Sequence, residues 1–289
     1  MKHLQKNFEV SERRACRVLG QPRSSQRYIS TKADIDMALS QRMVALSREN
    51  PCYGYRRVWA LLRREGWTVN RKRVQRVWRE AGLMVPSKEC KRRRMGASEN
   101  GIKRRQAEYI DHVWSYDDFA MDATEDGRRL KMMPIVEEYS RECLALETER
   151  SITAEDVVET LARLFTERGA PSFIRSDNGP EFIAKVVKRW LAASGVQTLY
   201  IEPGAPWENA SYSETFISRL RDELLNREEF ANLKEAKVLA EDYRDHYNHH
   251  RPHGALGYLT PTEFAAIEAL TDQDSGSSEE LEFVQRLSS

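Results

Sequence analysis

Ile174-Arg175-Ser176-Asp177-Asn178-Gly179-Pro180-Glu181-Phe182 is the stretch on which the reading of this chain turns. A short apolar strand ends in a carboxylate, and an Asn-Gly-Pro turn follows at once. Downstream, Glu214 opens the amphipathic stretch Thr215-Phe216-Ile217-Ser218-Arg219-Leu220. Upstream, the strand Trp114-Ser115-Tyr116 runs into Asp117 and Asp118. Carboxylates at the ends of three separate elements can converge on a divalent cation, because hard ions such as Mg²⁺ prefer oxygen ligands.

The surrounding pattern supplies a scaffold for such a cluster. Strand 114–121 passes through Glu125-Asp126-Gly127-Arg128, a hairpin signal, into strand 130–137, and a third strand covers Cys143–Thr148. Thr153 opens a helix with Val157, Val158, Leu161, Leu164 and Phe165 on its apolar face, ended by Gly169 and Pro171. Strand 172–176 delivers Asp177, helix 184–194 ends at Gly195, and Thr198–Ile201 is a fifth strand. Helices over 213–226 and 233–249 close the domain. A meander followed by alternating helices and strands predicts an α/β layout with a mixed five-stranded sheet and flanking helices.

The front of the chain reads differently. Ile35, Leu39, Met43 and Leu46 predict a helix over 34–49, stopped by Asn50-Pro51. Val58, Leu61 and Leu62 mark a second helix, stopped by Gly66. Asn70 caps a third that contains Val74, Val77 and Trp78 and stops at Gly82. Two short helices joined by a tight Gly-containing connection predict a helix-turn-helix in a small all-α region. Arg56, Arg57, Arg71, Lys72, Arg73, Arg76 and Arg79 crowd these helices as candidate contacts to nucleic-acid phosphates or base edges. A basic tract over 86–107, with Lys91, Arg92, Arg93 and Arg94 at its centre, is a candidate to be ordered by phosphates.

Charge divides the chain in the same way. Residues 1–105 carry 27 Lys and Arg against 9 Asp and Glu, a net of +18, while the remainder carries 19 against 36, a net of −17. A basic front and an acidic back predict a nucleic-acid-binding part joined to something else. The four cysteines form no Cys-x-x-Cys pair, which argues against a zinc ribbon or a disulfide scaffold and fits a reducing cytoplasm. His246, His249, His250 and His253 lie without a cysteine pair and fit packing or phosphate contact better than zinc. No stretch is apolar enough for a signal peptide or a membrane span.

These runs together resemble the integrase catalytic core of DDE transposases, in particular the OrfB-type protein of two-reading-frame bacterial insertion sequences. The resemblance rests on Trp114-Ser115-Tyr116, on Asp126-Gly127-Arg128-Arg129-Leu130, on Tyr139-Ser140-Arg141-Glu142-Cys143-Leu144 and on Arg175 through Phe182. It continues through Arg219-Leu220-Arg221-Asp222-Glu223-Leu224-Leu225-Asn226 and from Tyr247-Asn248 through Arg251-Pro252-His253 to Leu256-Gly257-Tyr258. Tyr53-Gly54-Tyr55-Arg56-Arg57 onward resembles the helix-turn-helix segment that precedes such a core.

The resemblance implies an RNase H-like fold and an Asp-Asp-Glu triad, here Asp118, Asp177 and Glu214. It implies two Mg²⁺ ions, replaceable by Mn²⁺, and double-stranded DNA as substrate, both element terminal repeats and target. Cleavage followed by strand transfer is the implied chemistry. A homo-oligomer on DNA, the product of an upstream reading frame as partner, and a cytoplasmic, nucleoid-associated location are implied with it. The expected division is a DNA-binding region over 1–85, a linker over 86–107, a catalytic core over 108–270 and a flexible tail from 271. Competing readings are a catalytically impaired copy that binds DNA, and an RNase H-like nuclease that cleaves without joining.

Two features depart from the family pattern. Asp117 and Asp118 stand where the family has one Asp, and 36 residues separate Asp177 from Glu214, one more than usual. Neighbouring strand residues point to opposite faces, so only one of the two aspartates is expected to face the metal. The hairpin at Asp126-Gly127 fixes the register, which predicts that the extra residue is absorbed upstream, toward the linker. Asp118 is therefore the expected ligand and Asp117 the alternate.

Overall fold

The computed structural model describes residues 8, 10–27, 32–85, 106–116, 119–176, 185–200 and 212–273. The chain forms two compact units, Met1–Pro86 and Ser87–Ser289.

The first unit is all helical: α1 (Glu12–Val18), α2 (Arg23–Arg27), α3 (Lys32–Glu49), α4 (Tyr55–Arg64) and α5 (Arg71–Glu80). Its core joins Leu39, Met43 and Leu46 of α3 to Val58 and Leu62 of α4 and to Val74, Val77 and Trp78 of α5. Ile35, expected in the α3 stripe, is 49% exposed, so the buried face begins one turn later. The turn between α4 and α5 forms as its sequence requires. Gly66 adopts φ +85°, which a side chain would strain, and the Asn70 carboxamide accepts the Lys72 amide at 2.8 Å.

The second unit is built on one mixed sheet. Its strands are β1 (Val113–Ser115), β2 (Ala120–Ala123), β3 (Arg129–Glu137), β4 (Cys143–Glu149), β5 (Phe173–Ser176) and β6 (Gln197–Tyr200). β1 and β2 both lie antiparallel to β3, one after the other, so the six segments make five ribbons in the order β4, β3, β1 with β2, β5, β6. β5 runs parallel to β1, and β6 parallel to β5. A three-ribbon antiparallel meander extended by two parallel strands is the RNase H-like arrangement.

Each face of the sheet has its own core. On one, Trp114, Tyr116, Met133 and Ile135 pack with Val157, Leu161 and Leu164 of α6 (Ala154–Arg168) and with Val187 and Leu191 of α7 (Lys185–Ala193). On the other, Ala120, Leu130, Met132 and Val136 meet Phe216, Ile217 and Leu220 of α8 (Tyr212–Leu220) and Ala236, Ala240, Tyr243 and Tyr247 of α9 (Leu233–His249). α6 begins with a reciprocal cap in which the Thr153 hydroxyl accepts the Asp156 amide and Asp156 accepts the Thr153 amide.

After α8 the chain continues as one π-helical turn, Arg221–Leu225. That turn carries Glu223, which Arg251 grips with two 2.8 Å hydrogen bonds while both side chains are at least nine-tenths buried. The Arg251-Pro252-His253 run is thereby accounted for as an anchor. His253 packs edge-on against Tyr247 with ring centroids 4.7 Å apart.

A last helix, α10 (Pro261–Gln273), was not expected, and it extends past residue 271, where a flexible tail was predicted to start. Residues 274–289 lie outside the described residues. Its signal is present in the sequence: in Thr260-Pro261-Thr262-Glu263, Glu263 accepts the Thr260 amide at 2.7 Å and the Thr260 hydroxyl accepts the Glu263 amide at 3.2 Å. Tyr139 donates to Glu268 at 2.9 Å, tying α10 to the β3–β4 turn. Thr260→Ala removes the cap and should cost about 0.5–2 kcal/mol in denaturant unfolding. An unchanged midpoint would show that the cap does not hold α10.

Candidate active site and nucleic-acid interface

The two strands and the helix that lead into or carry the predicted acids are joined to one another. β1 is paired on both edges: Trp114 faces Glu137 and Ser115 faces Val136 on β3, while Val113, Trp114 and Ser115 face Phe173, Ile174 and Arg175 on β5. The Tyr116 amide donates to the Arg175 carbonyl at 3.2 Å, so the parallel pairing persists to the end of β1. Asp177 is the next residue after β5, and Asp117 is the second after β1. Asp117, Asp118 and Asp177 themselves lie outside the described residues, as does Glu181.

Glu214 is described. It is exposed in the first turn of α8. The preceding residue, Ser213, is fully buried, and its hydroxyl lies 2.9 Å from that of Ser115. This contact joins the first turn of α8 to the last residue of β1.

The register of the first strand corrects one expectation. β1 pairs with β3 so that Ser115 faces Val136, whereas β2 pairs so that Ala120 faces Met132. The first strand therefore takes five steps where β3 takes four, and the additional residue lies between Ser115 and Ala120 rather than toward the linker. Strand β1 cannot slip to absorb it. Trp114 is buried, packs edge-on against Phe165 at 5.7 Å, and donates its indole N–H to Asp111 at 2.8 Å. Asp111 is in turn held by Arg168 at 2.9 Å.

The turn between β3 and β4 contacts both β5 and α8. The Glu137 carboxylate accepts the amides of Tyr139 and Ser140 and the Ser140 hydroxyl. Burial pushes the Glu137 carboxyl above the ordinary carboxylate range, and the Ser140 and Tyr139 bonds pull it back. Glu138, fully buried, receives the Arg175 Nε at 2.8 Å, two residues before Asp177. Arg141 lies with its guanidinium carbon 3.4 Å from the centre of the Tyr212 ring, two residues before Glu214. The Glu137-Glu138 pair is thus structural. Glu138→Ala takes away the buried partner of Arg175 and should destabilise the second unit by about 3–5 kcal/mol. A loss below about 1 kcal/mol in denaturant unfolding would contradict that role.

On the first unit, the basic candidates fall into two groups. Arg56, Arg71, Lys72 and Arg79 are exposed. Arg57 lies over the Tyr53 ring at 5.2 Å, and the Arg56 Nε reaches the Tyr55 hydroxyl at 3.3 Å. Arg73 and Arg76 instead clasp Asp36 of α3, each at 2.7 Å, and Arg76 also holds Glu80 at 2.9 Å. The Arg76 and Arg73 hydrogen bonds hold the Asp36 carboxyl below its usual range. Sequence reasoning missed Asp36 because no local pattern links an acid on α3 to arginines 37 and 40 residues later. Lys91, Arg92, Arg93 and Arg94 lie outside the described residues.

With this geometry in hand, similarity to known proteins becomes informative. Residues 110–206 and 194–261 match the integrase core domain, and residues 34–94 match an HTH-like domain. The chain is 38% identical, over 97% of its own length and all of the relative's, to the insertion element IS407 uncharacterized 31.7 kDa protein of Burkholderia multivorans. It is 30% identical to the transposase InsD of insertion element IS2 of Escherichia coli, over 75% of this chain and 74% of that one. The HTLV-2 integrase catalytic core domain, solved with magnesium, aligns over 56% of this chain and 99% of its own at 14% identity and a TM-score of 0.43.

The chain belongs to the OrfB-type insertion-sequence transposases with an integrase core and a helix-turn-helix-like front. Its activity class follows: it is a polynucleotidyl-transferase-type DNA transposase. Among the described residues, no helix is long and apolar enough to cross a membrane.

Proposed function

We propose that this chain carries out Mg²⁺-dependent cleavage and strand transfer of DNA at insertion-sequence ends, with Asp118, Asp177 and Glu214 as metal ligands. The observation that carries this reading is the 2.9 Å Ser115–Ser213 contact, which brings the start of the Glu214 helix to the end of the strand that leads into Asp117 and Asp118. The parallel β1–β5 pairing supports the third corner, because both strands end side by side just before an acid. A set of three carboxylates fits a hard, oxygen-seeking cation, and Mn²⁺ fits the same donors. Two such ions, when bound, would activate the attacking hydroxyl and stabilise the leaving oxygen. The residues of the chain hold the carboxylates in place and present them to the phosphodiester.

The extra step between Ser115 and Ala120 bears on the choice of aspartate. Alternation counted forward from Ser115 assigns residue 117 to the Ser213 side of the sheet. Counted back from Ala120, which packs with α8, it assigns residue 118 there. Asp118 remains the proposed ligand because it keeps its spacing to the long β2–β3 hairpin, and Asp117 is the alternate. The DNA contacts we assign to Arg56, Arg57, Arg71, Lys72 and Arg79 on residues 1–85 and to Lys91–Arg94 on the linker 86–107, with Arg73 and Arg76 held on Asp36 and residues 108–270 as the core. Element ends and target DNA are the substrates, bound by more than one copy of this chain, alone or with the product of an upstream reading frame, in the bacterial nucleoid.

Asp177→Asn should lower Mg²⁺-dependent nicking of a duplex carrying the sequences that flank this reading frame by at least about 100-fold, while melting temperature and duplex binding stay near wild type. Asp118→Asn should cost more than Asp117→Asn. Nicking retained in Asp177→Asn would remove that residue from the site, and the reverse ranking of the front pair would move the ligand role to Asp117. Joining of pre-cut ends separates a transposase from a nuclease that only cleaves.

Asp36→Asn should release Arg73 and Arg76 toward phosphate. Duplex affinity should rise, and the plot of log affinity against log salt should steepen by up to about 1.8, roughly 0.9 for each added phosphate contact. An unchanged slope in a variant with unchanged melting temperature would confine both arginines to a structural role.

A further inference from the structure

Arg141 is held in a costly way for a residue on a turn. It adopts φ +68°, a left-handed conformation that a long side chain rarely takes. The turn enforces it: the Arg141 amide donates to the Glu137 carbonyl at 3.0 Å, the Glu137 amide donates to the Glu142 carbonyl at 2.8 Å, and the Glu137 carboxylate satisfies Tyr139 and Ser140. The resulting direction sends the guanidinium onto the Tyr212 ring, 3.4 Å from its centre. Its Nη1 is buried and finds no hydrogen-bond acceptor among the described residues. A buried guanidinium nitrogen with no acceptor among the described residues, on a strained backbone, is not what stability alone would favour. The ring beneath it is the gain: a desolvated cation over an aromatic face is a strong, planar and directional contact.

Tyr212 is the first residue of α8, and Glu214 is in the same first turn. The Ser115–Ser213 hydroxyl contact also holds that turn. The buried Phe216, Ile217 and Leu220 seat α8 on the sheet, the serine pair fixes a distance at its first turn, and the stacked ring constrains the direction of its first residue. We propose that Arg141 is a positioning residue that acts through the Tyr212 ring to set the orientation of Glu214. This inference rests on the assignment of Glu214 as a metal ligand.

The test compares Arg141→Lys, Tyr212→Phe, Tyr212→Leu, the Arg141→Lys/Tyr212→Leu double variant and Glu214→Gln in the full chain. The readouts are Mn²⁺ affinity by electron paramagnetic resonance without DNA, kcat and KM for nicking of the flanking-sequence duplex, and melting temperature. Arg141→Lys keeps the charge and loses the planar stack. It should weaken Mn²⁺ binding and lower kcat by about tenfold each, with KM unchanged. Tyr212→Leu should do the same, Tyr212→Phe should stay near wild type, and the double variant should be no worse than either single, because both act through one contact.

Wild-type Mn²⁺ affinity and kcat in Arg141→Lys, or additive losses in the double variant, would overturn the positioning role. So would a loss confined to melting temperature. If Glu214→Gln itself binds Mn²⁺ and nicks like wild type, the assignment of Glu214 fails first, and this inference fails with it.

Discussion

The three residues Val113–Ser115 are the constraint on which the second unit depends. They pair with β3 on one edge and β5 on the other, and this double pairing makes the sheet mixed. Because β1 and β5 are parallel neighbours, their ends coincide, and the chain enters an acidic residue within two positions of each end. Removing β1 from the centre would part the meander from the parallel strands and would leave no common edge for the acids. Its immobility also explains where the additional residue of the first strand goes. With Trp114 buried against Phe165 and tied to Asp111, strand slippage would expose an indole and break a hydrogen bond, so the extra step is taken beyond Ser115.

Two buried ion pairs secure the elements around that strand. Glu138 holds Arg175 at the end of β5, and Glu223 holds Arg251 where the π-helical turn prolongs α8. Buried pairs of this kind add little net stability over a well-packed apolar alternative, since desolvation consumes most of the Coulombic gain. Their effect is geometric. Each accepts one arrangement of its partners and penalises all others, which fixes a strand end and a helix. The π-helical turn itself is a feature that recurs near functional sites, and here Arg251 pins it.

Most of the fold was legible in the sequence because local rules and burial agree. The Asp126-Gly127 hairpin, the Thr153 cap and the Gly169 stop mark their elements, and α9 falls at 233–249 as predicted. α10 was not expected, although Thr260-Pro261-Thr262-Glu263 is a capping signature. The position of the extra first-strand residue could not be read, since it depends on β3 and β5 holding β1 from both sides. The clasp of Asp36 on Arg73 and Arg76 was hidden for the same reason: charge counts register arginines, not their partners across a tertiary contact. Glu214 stands in the first turn of a helix, where the amphipathic stretch it opens had placed it. The serine that docks it, Ser213, carries no signal apart from the fold.

The central claim is that carboxylates following β1 and β5 share a metal site with Glu214. Anomalous diffraction from crystals of the full chain soaked in Mn²⁺ tests it most directly. The account predicts anomalous peaks within coordination distance, about 2.0–2.6 Å, of a Glu214 carboxylate oxygen and of carboxylates from Asp177 and the Asp117-Asp118 pair. Mn²⁺ held by other residues, with Glu214 contacting no ion at saturating metal, would contradict it.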